Sequence, residues 1–511
     1  MNKLYERIKD KRVILFGTGI LQADISGMFH FRDMPYYIED HSTKRERSDF
    51  AIDKPVYESD YLVNEDRENL FILICDDDEE YAANKLESMG FKEGIHYAFG
   101  EELLIDLARL ESIRRKRIHI WGAGNTYTYH KEDLQEYVPD IESIIVSNAD
   151  GNPLSLDGIP VKQFSPAEER QENTFIIVCS IYYDEISSLL KESGYHIGRD
   201  FIHIRTFVTL AKLSTYSSGE HTFIDRKKNS DELLVILAGY KKFVWESVFP
   251  RLKRSVPEHM DVVLVTSGLV NEELQELCEN YGWSHISTVR NNVSLAINIA
   301  ITRFPQAKYI YKIDEDIFTT AGCFEAMRET YDRLTHDSKY EVGFVTPLIP
   351  VNGYGYVRLL ELFDAVGLWE ERFGELMYTD CYRHHRTIHD SPEAAMFMWG
   401  EENPQFADID AMAEKLANRS FQYSICPIRY SIGFILFTRR NWMKMGMFPV
   451  KQHMNLGADE EHICKFCMMH ARVMAVAENT IVGHLSYGPQ HKKMEEYYRA
   501  HPEKFFPKVE D

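Results

Sequence analysis

With 511 residues, the chain is too long for a single hydrophobic core, and two to four domains are expected. Its 44% hydrophobic and 13% aromatic residues exclude a globally disordered protein, and its formal net charge of −22 argues against nucleic-acid binding. The charged N-terminus does not resemble a signal peptide and no apolar run approaches the length of a membrane span, so the sequence predicts a cytoplasmic protein with at most peripheral membrane contact.

The first two hundred residues contain an internal repeat. Segment 12–19 ends in a Gly-x-Gly motif and returns as segment 117–124, where the first glycine moves from residue 17 to residue 122, an offset of 105. The apolar run Phe-Ile-Leu-Ile-Cys at 71–75 returns as Phe-Ile-Ile-Val-Cys at 175–179, at nearly the same offset. Landmarks in register over about 100 residues indicate a duplication.

Each copy alternates strands and helices, which predicts a small parallel sheet. Both copies resemble the Rossmann-like domains attached to bacterial polysaccharide-biosynthesis enzymes, which implies two tandem domains at 1–110 and 111–212. In such enzymes the domain either binds a nucleotide or nucleotide-sugar or only mediates association. A homo-oligomer formed through these domains is therefore one expectation.

The Gly-x-Gly motifs are the candidate ligand sites of the repeats. Glycines after a strand let the backbone approach a phosphate at a helix N-terminus, and an acidic residue about 20 positions further on can bind a ribose hydroxyl. The alternative is a tight turn without a ligand, since neither copy has the third glycine of the full motif. The candidate nucleotide-binding residues are Gly17, Gly19, Asp40, Gly122 and Gly124.

The rest of the chain again alternates strands and helices. A polar linker is predicted at 213–230, followed by a further domain at 231–511. Buried apolar runs and amphipathic segments predict strands at 233–239, 261–268 and 283–289, and helices at 245–252, 272–281 and 292–304.

The next strand ends in three carboxylates. Segment 309–313 is β-rich and is followed directly by Asp314, Glu315 and Asp316. The carboxyl end of a buried strand is where open α/β sheets hold ligands. Two aspartates separated by one residue can both reach one divalent cation, although a bare Asp-x-Asp also occurs in solvated turns.

This region resembles the A-type, family-2-like glycosyltransferases of bacteria. The pattern Asn292-x-Ser294-x-Ala296-x-Asn298, followed by the Asp-x-Asp, is similar to the segment that carries their metal site. The resemblance implies a nucleotide-diphospho-sugar transferase fold and an Mn²⁺ or Mg²⁺ ion on Asp316, with Asp314 at the ribose or at the metal through water. The donor-binding residues that it implies are Gly239, Tyr240, Asn292, Asn298, Lys312 and Asp314.

Three later segments extend the resemblance. Asp459 and Glu460 open a helix where the family places the carboxylate that takes the acceptor's proton, which implies Asp459 as catalytic base with Glu460 as the next candidate. Acidic residues at a helix start also stabilise the helix without any chemistry. His484 matches a late histidine that serves as a third metal ligand. The aromatic-rich segment 351–430 is expected to bind the acceptor, or else to form an ordinary cap.

The sequence therefore predicts an α/β protein with two Rossmann-like domains and a glycosyltransferase domain. The expected activity is the metal-dependent, inverting transfer of a sugar from a nucleotide-diphosphate donor to a hydroxyl of a glycan or glycoconjugate, in bacterial surface polysaccharide synthesis. One alternative is a non-catalytic scaffold of a polysaccharide-assembly complex. The other is an NAD-dependent sugar-nucleotide oxidoreductase built on Gly17 or Gly122, which lacks a Tyr-x-x-x-Lys motif.

Overall fold

The chain divides into two compact units, Met1–Gly219 and Glu220–Asp511. The computed structural model describes residues 2–40, 52–138, 140–166, 173–218, 220–337, 339–380, 384–450 and 457–507. The boundary lies inside the segment predicted as a linker, but that segment is not an open linker. It contains the end of a helix, Ile204–Ser218, and a strand, His221–Ile224, which belongs to the sheet of the second unit. Within the described residues, no helix is both long and apolar enough to cross a membrane.

The first repeat is a parallel sheet with the strand order β3-β2-β1-β4-β5. Its central strands are buried along nearly their whole length, as expected for a parallel sheet covered on both faces. The strands are β1 (Arg12–Phe16), β2 (Tyr37–Ile38), β3 (Val56–Tyr57), β4 (Leu70–Ile74) and β5 (Tyr97–Phe99), and the helices are α1 (Lys3–Ile8), α2 (Ile20–Met28), α3 (Glu79–Ser88) and α4 (Leu107–Arg114).

The second repeat has the same order of its parallel strands, β11-β10-β6-β7-β9, with β8 added antiparallel to β9. The predicted duplication therefore corresponds to two sheets of one topology, although the predicted boundary at residue 110 falls inside α4. The strands are β6 (Arg117–Trp121), β7 (Ile141–Val146), β8 (Ser155–Leu156), β9 (Ile159–Gln163), β10 (Thr174–Val178) and β11 (Phe201–His203), and the helices are α5 (Asn125–Tyr137), α6 (Tyr183–Glu192) and α7 (Ile204–Ser218).

A buried carboxylate joins the two repeats. Asp24 in α2 is fully buried and accepts hydrogen bonds from the Tyr183 hydroxyl at 2.5 Å, the Thr206 hydroxyl at 2.5 Å and the His203 amide at 3.1 Å. Burial raises the pKa of Asp24 to about 6, against the effect of these donors. The two repeats are thus packed against each other in one compact unit rather than forming two independent domains.

The second unit contains a nine-stranded mixed sheet in its described residues, with the order β12-β15-β14-β13-β16-β20-β18-β21-β19. The strands are β12 (His221–Ile224), β13 (Glu232–Leu237), β14 (Asp261–Ser267), β15 (Ser284–Thr288), β16 (Tyr309–Asp314), β17 (Ile317–Phe318), β18 (Glu341–Leu348), β19 (Tyr423–Ile425), β20 (Phe434–Thr438), β21 (Arg472–Ile481) and β22 (Gly483–His484). The helices are α8 (Trp245–Ser255), α9 (Glu272–Tyr281), α10 (Val293–Arg303), α11 (Cys323–His336), α12 (Gly355–Leu362), α13 (Val366–Phe373), α14 (Arg386–Asp390), α15 (Pro392–Met398), α16 (Ile409–Ala417), α17 (Arg439–Lys444), α18 (Ala458–Met469) and α19 (His491–Ala500).

Strand direction decides where the site lies. Strands β13, β14, β15 and β16 are mutually parallel, so their carboxyl ends share one edge of the sheet. Strand β16 is antiparallel to β20 on its other side. Beyond β16, the short strand β17 pairs with β22, which sets Ile317 opposite His484. The predicted strand–helix alternation up to Asp314 is confirmed.

The aromatic segment 351–430 forms the helices α12 to α16, and most of its rings are core. The expectation of an acceptor site rests on eight aromatic residues of this segment: Tyr354, Tyr356, Trp369, Phe373, Tyr378, Tyr382, Phe397 and Trp399. Five of them are at most 5% exposed: Tyr354, Tyr356, Trp369, Phe397 and Trp399. A buried ring has no face left for a ligand, so these five are wrong as sugar-binding residues. Tyr382 lies outside the described residues.

Candidate functional site

Three consecutive carboxylates end β16, and each has a different partner. Asp314 pairs with Lys312 at 2.7 Å. Lys312 is buried and also donates to the carbonyl of Ile432 at 2.9 Å. The sequence assigned Lys312 to the donor, but both contacts lie within the protein, so its role is to hold Asp314.

Glu315 fixes the neighbouring turn. Its carboxylate accepts from the backbone amides of Gly239 and Tyr240, each at 2.9 Å, and from the Trp245 indole at 2.7 Å. The turn after β13 is therefore pinned to the end of β16. The sequence analysis assigned no role to Glu315, although its place between two aspartates at the end of a buried strand was the available signal.

Asp316 is the most deeply placed of the three, at 1% exposed. Its Oδ2 atom lies 2.5 Å from the Nζ of Lys241 and 3.6 Å from the Nε2 of His484. Burial alone would raise the pKa of Asp316, but the Lys241 ammonium outweighs it, so the pKa is lowered. Asp316 is therefore an ionised carboxylate with two nitrogen neighbours. Lys241 was not among the sequence candidates.

The orientation of His484 is set by its other ring nitrogen. Nδ1 lies 2.8 Å from the carbonyl oxygen of Val351, and a carbonyl only accepts, so Nδ1 carries the proton. In the neutral ring, Nε2 then has a free lone pair on the side of Asp316. This arrangement is the usual way in which proteins orient a metal-ligating histidine.

A tryptophan of the aromatic segment supports the strand that carries His484. The indole of Trp399 donates to the carbonyl of His484 at 3.0 Å. Its ring also covers Gly483 so closely that a Cβ there would lie 2.3 Å from a ring carbon. Segment 351–430 thus contributes to the site by positioning His484, through both Trp399 and Val351.

The predicted metal ligands come together only in part. In the described part of the chain, no group of three or more His, Cys, Asp or Glu residues could hold a metal ion. Asp314 turns to Lys312, whereas Asp316 and His484 face each other across a distance that one ion can bridge at about 2.0–2.2 Å from each. These two residues fit a divalent ion whose remaining ligands are substrate oxygens and water.

The two acidic residues that open α18 differ in their surroundings. Glu460 pairs with the Nε of Arg429 at 2.5 Å, and Arg429 also donates to the carbonyl of Gly457. Asp459 is 8% exposed, and its side chain forms no hydrogen bond or ion pair with another described residue. It lies within electrostatic reach of Lys312, where it and Asp314 raise the lysine's pKa against the effect of burial. Asp459 is thus a shielded carboxylate without a direct partner.

Two predicted donor residues have structural roles. Asn298 is fully buried, its carbonyl accepts from Trp442 and Phe448, and its amide donates to Phe448, so its assignment to the donor is wrong. The Asn292 side chain caps α10 by accepting from Leu295. The cap uses the side-chain oxygen of Asn292, and its assignment to the donor stays a prediction.

An open apolar surface borders the site at the ends of β13, β14 and β15. Tyr240, Val270 and Val289 are each more than 60% exposed. The Tyr240 hydroxyl donates to the carbonyl of Ser267 at 2.6 Å, which holds the ring in place. Gly239 has a φ of +138°, a conformation that favours glycine. This edge presents a fixed aromatic ring at the turn that Glu315 holds.

In the N-terminal unit, the first glycine of each motif has a structural reason. Gly17 and Gly122 have φ values of +110° and +117°, and a Cβ at either would lie within 2.6 Å of the backbone after the neighbouring strand. Gly19 and Gly124 precede α2 and α5 and have open space around them. Packing and backbone conformation therefore require the first glycine of each motif, whereas packing does not require the second.

Asp40 does not face a ligand. It is 7% exposed and accepts from the amide and hydroxyl of Ser59, at 2.7 and 2.8 Å, and from the hydroxyl of Tyr81 at 3.0 Å. Its predicted role at a ribose is corrected to that of an internal hydrogen-bond acceptor.

The two repeats differ where their central strands end. After β4 the chain continues as Asp76-Asp77-Asp78, whereas the matching segment after β10 is Ser180-Ile181-Tyr182. In the second repeat, a cleft of about 750 Å³ opens between the ends of β6, β7 and β10 and includes Gly122 and Gly124. This is the point where the strand order reverses, the usual ligand position of such sheets.

No protein-family model and no curated protein sequence matches the chain. Two solved glycosyltransferase structures each align with 55% of it. One is GalNAc-T7 with UDP, GalNAc and Mn²⁺ (12% identity, TM-score 0.32, 52% of that chain covered). The other is the mannosyltransferase PcManGT from Pyrobaculum calidifontis in complex with GDP-Man and Mn²⁺ (11% identity, TM-score 0.29, 65% of that chain covered). The chain thus spans less than two thirds of either protein, and similarity at this level carries no inference about its activity.

Proposed function

We propose that the chain is a metal-dependent glycosyltransferase, which moves a sugar from a nucleotide-diphosphate donor to a hydroxyl of a glycan or glycoconjugate. The observation that carries the proposal is the pairing of Asp316 with His484 just beyond the carboxyl end of β16. Asp459 lies within electrostatic reach of Lys312 and Asp314 at the end of the same strand. An ionised carboxylate beside an oriented imidazole, with a shielded carboxylate nearby, is a set suited to group transfer from a diphosphate.

Asp316 and His484 are the residues that would hold Mn²⁺ or Mg²⁺. Such an ion supplies charge neutralisation at a leaving diphosphate and orients it. Two features of the chain favour such binding. The lowered pKa keeps Asp316 ionised, and the hydrogen bond from Nδ1 of His484 to the Val351 carbonyl leaves the lone pair on Nε2. Trp399 and the β17–β22 pair keep the imidazole in place.

Asp459 is the proposed general base. It would accept the proton of the acceptor hydroxyl, a contribution of typically ~10²–10⁴-fold to the rate. Its carboxylate has no direct partner among the described side chains, whereas Glu460 is neutralised by Arg429. Inverting stereochemistry is part of the proposal, since one base on the acceptor suffices for a direct displacement.

The donor's nucleoside is proposed to lie on the exposed edge formed by Tyr240 and its neighbours. Glu315 pins this turn, so the Tyr240 ring has a fixed place from which to stack on a base. The remaining expectations are kept as proposals: cytoplasmic location, a role in bacterial surface polysaccharide synthesis, and ligand binding or self-association by the N-terminal repeats.

The proposal is tested by the thermal stability of the full chain with UDP or GDP, with and without Mn²⁺. We expect the melting temperature to rise when metal and nucleotide are both present, because a ligand that binds only the folded state stabilises it. We also expect slow hydrolysis of a nucleotide-sugar in the presence of Mn²⁺.

Two outcomes would favour the alternatives. Stabilisation by NAD(H), with no response to nucleoside diphosphates, would indicate the oxidoreductase. No stabilisation by any nucleotide, together with no hydrolysis of nucleotide-sugars, would indicate a scaffold protein.

A further inference from the structure

The inference concerns Lys241 and rests on the proposed function. Lys241 follows the turn that Glu315 pins to the end of β16. Its ammonium lies 2.5 Å from the Oδ2 atom of Asp316, the same oxygen that faces the Nε2 of His484. The Lys241 ammonium thus contacts the same carboxylate oxygen that would bind the proposed metal ion.

The cations around the site are not equivalent. Lys312 donates to a backbone carbonyl as well as to Asp314, and Arg429 donates to Gly457 as well as to Glu460, so both are held at two points. Lys241 has Asp316 as its one acceptor among the described residues, and its side chain remains 29% exposed. It is therefore the cation best able to change partner.

The net charge of the site indicates the condition under which Lys241 would change its partner. Five carboxylates (Asp314, Glu315, Asp316, Asp459 and Glu460) surround three cationic side chains (Lys241, Lys312 and Arg429), which leaves two formal negative charges. A divalent cation on Asp316 would balance them. It would also repel an ammonium on the same oxygen, since like charges at such separations repel strongly outside bulk water.

We infer that Lys241 is the counter-ion of Asp316 in the metal-free protein and becomes a ligand of the donor's diphosphate when metal occupies Asp316. The backbone near Lys241 stays fixed by Glu315, whereas its side chain has four rotatable carbons and a compact charge that suits phosphate oxygens. Metal and nucleotide should then bind cooperatively, because the nucleotide provides the partner that Lys241 loses.

The test uses the full chain with Lys241→Met, which keeps the length of the side chain and removes its charge. Binding of Mn²⁺ is measured by electron paramagnetic resonance without nucleotide, and binding of UDP and GDP is measured by calorimetry at saturating Mn²⁺. We expect Lys241→Met to bind Mn²⁺ alone at least threefold more tightly and the nucleoside diphosphate at least tenfold more weakly. Lys241→Arg should recover most of the nucleotide affinity.

Lys242→Met is the matched control. Lys242 is adjacent, lies on the surface and pairs with Glu273 rather than with the site. The Lys242→Met variant should bind Mn²⁺ and the nucleoside diphosphate with wild-type affinity.

The outcomes separate this inference from the proposed function. If Lys241→Met binds Mn²⁺ and nucleotide as the wild type does, the inference is wrong. Tighter Mn²⁺ binding with unchanged nucleotide affinity also overturns it, because the diphosphate contact is then absent. If the wild type binds no nucleoside diphosphate with Mn²⁺, the proposed function itself fails, and Lys241 is only a structural counter-ion.

Discussion

Asp459→Asn separates a catalytic role from a structural one, because the two roles predict opposite results. The side chain makes no contact that amide replacement would break, and the N-terminal cap position of α18 belongs to Gly457. Removing the charge should cost the interaction with the helix dipole, about 0.3–1 kcal/mol, and the attraction to Lys312, while it relieves the repulsion from Asp314 and Glu460. Losing a proton acceptor should instead lower turnover by about 10²–10⁴-fold, which corresponds to roughly 3–5 kcal/mol in the barrier.

Glu460→Gln is the matched variant, and we expect the reverse pattern. It leaves Arg429 without its carboxylate in a largely buried setting, which should lower the free energy of unfolding by about 1–3 kcal/mol. Turnover should fall less than in Asp459→Asn.

The assay combines steady-state sugar transfer or donor hydrolysis with urea denaturation of both variants. Nucleotide affinity should stay close to wild type in Asp459→Asn, since the residue acts on the acceptor side. A larger loss of turnover in Glu460→Gln would assign the base to Glu460. Near-wild-type turnover in both variants would refute any chemical role of this acidic pair.

Three further predictions concern metal binding, packing and pH. Asp316→Ala should abolish the Mn²⁺-dependent stabilisation by nucleoside diphosphate, and an unchanged thermal shift would exclude it as a ligand. Gly483→Ala should lower both the melting temperature and the Mn²⁺ affinity, because the new methyl group meets the ring of Trp399; a variant with wild-type values would contradict the packing. The folded-state pKa of Asp24, about 6, exceeds the ordinary value of 3.8, so its contribution to stability is present below pH 4 and is lost as the pH rises through 6. The unfolding free energy of the wild type, measured relative to that of Asp24→Asn, should therefore fall by on the order of 3 kcal/mol from pH 4 to 7. A relative unfolding free energy that does not change with pH would argue against the raised pKa of Asp24.

The sequence alone determined the local features of this protein. Continuous apolar runs identified the parallel strands of both units, because burial on both faces leaves no place for polar residues along such strands. The repeat was readable because its landmarks recur at a fixed spacing. The carboxylates after 309–313 marked the edge that holds the site, since they stand where a buried strand ends.

Only the tertiary structure decided which partner each of these side chains has. Asp316 meets His484 because β17 pairs with β22, and it meets Lys241 because β13 lies beside β16. Neither strand pairing can be predicted from the local sequence pattern, because contacts between segments distant in sequence depend on how the whole chain packs. For the same reason composition could not tell that Asn298 and Trp399 are buried, because burial is a property of the packed fold rather than of the residue type.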